Sequence, residues 1–182
     1  SKQNKRGANS NVPTPPPDDE ENAEKEDDLY ANDEADAATL GAALRAACAI
    51  AACIVDYSRP AAVREGAVMA LAHWQNGHAP AKAAGSDTTE VELWKGLSLL
   101  LSALKTLFFS EETGKLLPND FDVSGEMVVK CAAVRGLALI RAKNGVPPIQ
   151  SLDFILQLLH DNDNSINRFD DSHYVGELVV SA

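Results

Sequence analysis

The sequence predicts an all-α protein, an α-solenoid of antiparallel helical hairpins preceded by a disordered acidic tail. From Ala37 onward apolar residues recur at steps of three and four, the period of a helix with one buried face, and no strand-like alternation of useful length interrupts them. Short polar turns rich in Asn, Asp, Gly and Pro separate the apolar runs, so neighbouring helices fold back on one another. The first 36 residues carry almost no large apolar side chains, and such a segment cannot join a core.

The expected division is therefore 1–36, a disordered Pro-rich and acidic linker, and 37–182, a helical repeat segment. The linker opens on a small basic patch (Lys2, Lys5, Arg6), passes a hinge at Pro13, Pro15, Pro16 and Pro17, and ends in a run holding 11 acidic residues between Asp18 and Asp36 against Lys25 alone. Such a run reads as a solvated linker, with an acidic docking segment as the alternative. Most of the net charge of −11 resides there, because 37–182 balances 12 basic against 16 acidic residues. A module that grips duplex DNA needs a basic stripe. Here the basic residues are scattered singly, which argues against direct DNA contact by this chain.

Cys48, Cys53 and Cys131 sit in apolar, Ala-rich helical surroundings, as reduced core cysteines do, and predict a reducing compartment. No run reaches the roughly eighteen apolar residues that span a bilayer, and the N-terminus leads into Pro and acid rather than a signal core. The reading is a protein with no membrane partner. Ser1 in place of Met, and a terminus inside a helical pattern, point to an excerpt of a longer protein.

The first helix is read from Leu40, Leu44, Ala47, Ala51 and Val55 and must end before Pro60. The second starts at Ser58 as N-cap with Pro60 in its first turn, stops at Gly77, and presents Val63, Ala67, Ala70, Leu71 and Trp74. Its Ala62-Val63-Arg64, followed by Ala67 and Ala70-Leu71, has the form of the second helix of a HEAT/ARM-like repeat. There Val and Leu fill the groove to the partner helix, and Ala permits close approach. Asp87-Thr88-Thr89-Glu90 has the form of a capping box and opens the third helix. Trp94, Leu97, Leu101, Leu104 and Phe108 form its stripe, and Leu93, Leu100 and Leu107 widen it to the breadth of a helix packed on two neighbours.

A loop from Ser110 to Asp122, with Gly114, Pro118 and Asn119, follows. Ser124 caps a fourth helix that is apolar around most of its circumference and ends near Asn144-Gly145, ahead of Pro147-Pro148. The fifth, Ser151 to His160, buries Leu152, Ile155, Leu156 and Leu159 and exposes Asp153, Gln157 and His160. A polar turn, Asp161-Asn162-Asp163-Asn164, leads to a sixth helix begun at Ser172. Asn162 is expected in the left-handed conformation, and Asp171 or Ser172 as the N-cap. Six helices pair into three hairpins stacked side by side.

No residue set announces chemistry. Asp161, Asp163 and Ser165 resemble the start of an EF-hand loop, but the sixth and twelfth places, where that loop needs Gly and a bidentate Glu, hold Ile166 and Ser172. His73 and His78, like Cys48 and Cys53, are five apart, a poor spacing on a helix for a shared metal. Walker, dinucleotide-binding, His-Glu-x-x-His and Gly-x-Ser-x-Gly motifs are all missing. The expectation is no catalytic residue, no cofactor, no metal and no small-molecule substrate.

The C-terminal unit carries a family resemblance. Leu152 to Leu159, then Asn162, Asp163 and Asn164, then Asn167, Phe169, Asp171 and Tyr174, resemble the C-terminal HEAT-like region of the subunit-two family of the general transcription factor TFIID, the TBP-associated factors. Upstream, Val63-Arg64-Glu65-Gly66-Ala67-Val68-Met69-Ala70-Leu71-Ala72 is similar to the family's repeat ending in an Ala-Leu-Ala-like run, and the likeness extends over about residues 58 to 182. The acidic segment before Ala37 has no counterpart in the pattern, and His173 to Gly176 is less basic and less aromatic than it.

The resemblance implies a nuclear, non-catalytic scaffold of RNA polymerase II preinitiation. Its partners would be other TFIID subunits, with promoter DNA contacted through the full complex. Val63, Arg64, Ala67, Leu71, Asn162, Asp163, Asn164, Phe169, Asp171 and Tyr174 would be structural residues of the repeat, and no partner-binding residue carries over. The residues alone leave open a HEAT-type adaptor of a trafficking or phosphatase assembly.

Overall fold

The computed structural model describes residues 41–79, 94–122 and 125–182. The expected tail at 1–36, Leu40, the capping box Asp87 to Glu90, Leu93 and the Ser124 cap lie outside those residues. Six helices form among the described residues: α1 (41–55), α2 (Ala61–Gly77), α3 (Lys95–Phe108), α4 (Glu126–Leu139), α5 (Ile149–His160) and α6 (Ser172–Ser181). The extended contact among them is an isolated bridge between Phe109 and Leu116. No described helix is long and apolar enough to cross a membrane.

α2 packs on α3 and α4, and α4 packs in turn on α5 and α6. Pairings along α2 and α4 show that the two run in the same direction: Arg64 reaches Glu126, Val68 meets Gly136, and Asn76 reaches Leu139 and Arg141. α4 and α6 do the same, with Phe121 just before α4 against Tyr174, and Arg135 late in α4 against Glu177. Alternate helices in a parallel row, each followed by a returning partner, are what stacked antiparallel hairpins produce. The returning helices touch as well, where Phe108 at the end of α3 meets Phe154 of α5 edge to face at 6.3 Å.

The central position of α4 explains its composition. It meets neighbours on several sides, so Val129, Cys131, Ala132, Ala133, Val134 and Leu137 are all buried. Its close approach to α2 in mid-helix depends on small residues. A Cβ at Gly136 would lie 2.7 Å from Val68 Cγ1, with the Ala72 methyl alongside. Any larger residue there forces the Val68 side chain to shift.

The buried face of α2 is rotated from the expected one. Arg64, Ala67, Val68, Leu71, Ala72 and Gln75 point inward at steps of three and one, whereas Val63 is 46% exposed and Ala70 is exposed. The cause is the polar pair at the two ends of this stripe. Arg64 and Gln75 turn inward because they find partners there, and the apolar residues rotate with them.

α5 departs similarly: Ser151, Phe154, Ile155 and Leu158 are buried and Leu156 is exposed. In α3 the expected stripe is buried at Trp94, Leu97, Leu104 and Phe108, with Leu100 and Leu107, while Leu101 is only half-buried because it lies at the margin of a face centred on Leu100, Leu104 and Leu107. In α1, Ala47, Ala51 and Ile54 face the core.

Boundaries shift too. α2 begins at Ala61 with Pro60 as N-cap, since Ser58 is held in a turn by Asp56, whose Oδ1 accepts both its backbone N–H and its hydroxyl. α4 ends at Leu139, short of Asn144. Of the cysteines, Cys131 is buried, Cys53 half-buried and Cys48 exposed, so Cys48 is no core residue.

Candidate functional site

α2 holds three of its neighbours through polar side chains. Arg64, 3% exposed, donates from Nε to the Ile54 carbonyl at the end of α1 (2.9 Å) and from Nη1 to Glu126 in the first turn of α4, and its guanidinium lies 4.2 Å from the Tyr57 ring centroid. Gln75 Oε1 accepts the Leu97 N–H of the first turn of α3 (3.0 Å), a bond that α3 lacks from its own N-cap, Trp94. Next to it, Asn76 donates to the Leu139 carbonyl (3.0 Å) and accepts the Arg141 N–H (2.9 Å), closing the C-terminus of α4. Helix ends leave backbone groups unpaired, and here another helix supplies the partners.

A second network joins the loop 110–122 to the last helical pair. Lys130, buried in α4, donates to Asn119 Oδ1 (3.0 Å). Asn119 Nδ2 donates to Asn162 Oδ1 (3.0 Å), and Asn162 Nδ2 donates to Asp171 Oδ2 (2.9 Å) at the entry to α6. The backbone adds a bond from the Asn119 N–H to the Asp163 carbonyl (2.7 Å). Lys130 lies 5.3 Å from the Phe108 ring centroid and 5.7 Å from that of Phe121, so cation–π attraction offsets part of its desolvation. Burial lowers its pKa against the opposing pull of Glu126 and Asp120.

Tyr174 is buried against Phe121, and burial holds its hydroxyl well above the ordinary phenol range. A raised acid pKa means the folded state keeps a proton that the unfolded chain loses, so its contribution is complete below the unfolded value near pH 10 and is lost as pH rises above it. Stability measured by denaturant titration should therefore fall as pH is raised above 10. Tyr174→Phe should flatten that decline, and an equal slope in the two proteins would refute the assignment.

The polar turn is a hydrogen-bonded frame. Asp163 Oδ1 accepts the Ser165 N–H and Asp170 Oδ1 the Ser172 N–H, each at 2.8 Å, and hydrogen bonds from those serines hold both carboxyls below their usual pKa. Asn164 and Asn167 both donate to the Phe169 carbonyl at 3.1 Å. Asn162 is not left-handed, since no described non-Gly residue has positive φ; Asp161 ends α5 instead. Asp171 is the N-cap of α6 by position, but Asp170 supplies the side-chain acceptor. His78 stacks on Trp74 at 4.2 Å and shares a hydrogen bond with its carbonyl, while His73 is exposed. Among the described residues no group of three or more His, Cys, Asp or Glu is placed to hold a metal.

The residues of the expected repeat motif thus separate into three groups. Arg64, Ala67, Leu71 and Tyr174 are buried, and Asn162, Asp163, Asn164 and Asp171 hold the turn. Val63 and Phe169 face solvent. The clamping roles of Lys130, Asn119, Gln75, Asn76 and Glu126 were not read from the sequence. Two of them carried a signal, a polar residue within an apolar face: Gln75 at the end of the α2 stripe, and Lys130 between Val129 and Cys131.

A family model described as TAF2-like, TPR repeats, matches residues 58–182. Transcription initiation factor TFIID subunit 2 of Schizosaccharomyces pombe is 33% identical over 88 residues, which cover 48% of this chain and 8% of that protein. The chain therefore matches only a small part of that relative's length. No solved structure matches.

Proposed function

Because the chain belongs to the family of TAF2-like proteins with TPR repeats, we propose that it is a non-catalytic scaffold segment of TFIID that holds other TBP-associated factors together and supports core-promoter recognition in RNA polymerase II preinitiation. The family match over 58–182 carries the reading, and one property of the structure and one of the sequence support it. A parallel row of helices, clamped by buried Arg64, Gln75 and Lys130 and by the half-buried Asn76, is a rigid platform rather than a reaction vessel. Along the sequence the basic residues of 37–182 are scattered singly rather than clustered, which favours promoter DNA being reached through the complex. The workplace is the nucleus, and the partners are proteins.

Affinity purification of the full-length protein from nuclear extract, probed for TBP and its associated factors, tests this. The expected result is co-purification of the TFIID set. Recovery of vesicle-coat or phosphatase subunits without that set would refute the reading in favour of an adaptor.

A further inference from the structure

We propose that the connection between α5 and α6 is a docking knob: Ile166 and Phe169, held out to solvent and rimmed by carboxylates, insert into an apolar pocket with a basic rim on another TFIID subunit. The proposal rests on the scaffold function above and adds the surface and the chemistry of its partner. Ile166 is 70% exposed and Phe169 47%. Burying either side chain in a partner would remove apolar surface from water and so favour the complex. The chain fixes them outward instead. The Phe169 carbonyl takes two amide donors, its N–H donates to Asn167 Oδ1 (3.3 Å), and Asn167 Oδ1 also accepts the Phe121 N–H (3.4 Å), tying the knob to the loop ahead of α4.

A frame so connected loses little freedom on binding, which is what lets a few exposed apolar residues carry an interface. Charge selects the partner. Asp163 and Asp170 flank the apolar pair in sequence and are carboxylates at neutral pH, a form that the hydrogen bonds from Ser165 and Ser172 favour further. The Arg168 guanidinium lies 5.4 Å from the Phe169 ring centroid, but its charge is engaged by Asp122 at 2.8 Å. A nucleic acid is repelled by such a rim; a protein pocket edged with Lys and Arg is complementary to it.

The test uses the full-length protein with a photoreactive phenylalanine derivative in place of Ile166, purified as part of TFIID, beside Ile166→Ser/Phe169→Ser and the control Val63→Ser. The proposal expects irradiation to cross-link position 166 to one other TFIID subunit, next to Lys or Arg. It also expects the double variant to lose at least about tenfold in recovery of that subunit, as a hot-spot pair should. Val63→Ser should keep it, and a thermal melt of the double variant like that of the wild type separates lost docking from lost fold. Retained TFIID with no cross-link at 166, or a cross-link to DNA or to a second copy of the chain, overturns the knob alone. Absence of TFIID subunits from the wild-type purification overturns the scaffold function and the knob with it.

Discussion

Arg64→Ala is expected to destabilise the protein by about 3–5 kcal/mol, the cost of leaving one member of a buried ion pair without its partner. Glu126 would lose its cation in the first turn of α4, the Ile54 carbonyl would lose its donor, and Tyr57 would lose the guanidinium it covers. Three segments meet at this one side chain, so the loss is felt in α1, α2 and α4 together. Urea denaturation followed by circular dichroism measures it. Arg64→Ala/Glu126→Ala should recover part of the loss, because the orphaned carboxylate is then gone. A single-variant cost below about 1 kcal/mol, in the range of exposed pairs, would mean that the pair is solvated.

Leu104→Ala should cost about 2–5 kcal/mol, since Leu104 is fully buried in α3 and truncation leaves a cavity. Leu101→Ala, at the half-buried edge of the same helix, should cost distinctly less, and the exposed Lys105→Ala little. Equal costs at 104 and 101 would contradict the observed orientation of α3.

Helix identity was legible because period and punctuation agreed: Pro60, Gly77 and Pro147-Pro148 bound apolar runs of the right spacing. Facing was less so. On α2 the apolar residues alone suggest a stripe through Val63 and Ala70, but Arg64 and Gln75 satisfy carbonyl, carboxylate and amide groups on other helices and rotate the face inward. Nothing local in the sequence reveals partners ten to sixty residues away. On α5 the choice between Leu156 and Phe154 depends on where Phe108 and Phe109 stand, again a tertiary fact.

The turn after His160 shows the same division. Its Asn and Asp content marked it as a structured connection, and Asn162, Asp163, Asn164 and Asp171 hold it. The family resemblance makes Phe169 a structural residue of the repeat; Phe121 occupies the place beside Tyr174, and Phe169 is left outside. The family likeness reached the right relatives through these residues.

Amide hydrogen exchange on the full-length protein, free and within assembled TFIID, tests the central claim most directly. If the chain is a preformed scaffold, α2 and α4 exchange slowly in both states, because their clamps exist without partners, and protection is gained at surface amides on assembly. Protection of α2 and α4 that arises only in the complex, or no change at any surface segment, would contradict it.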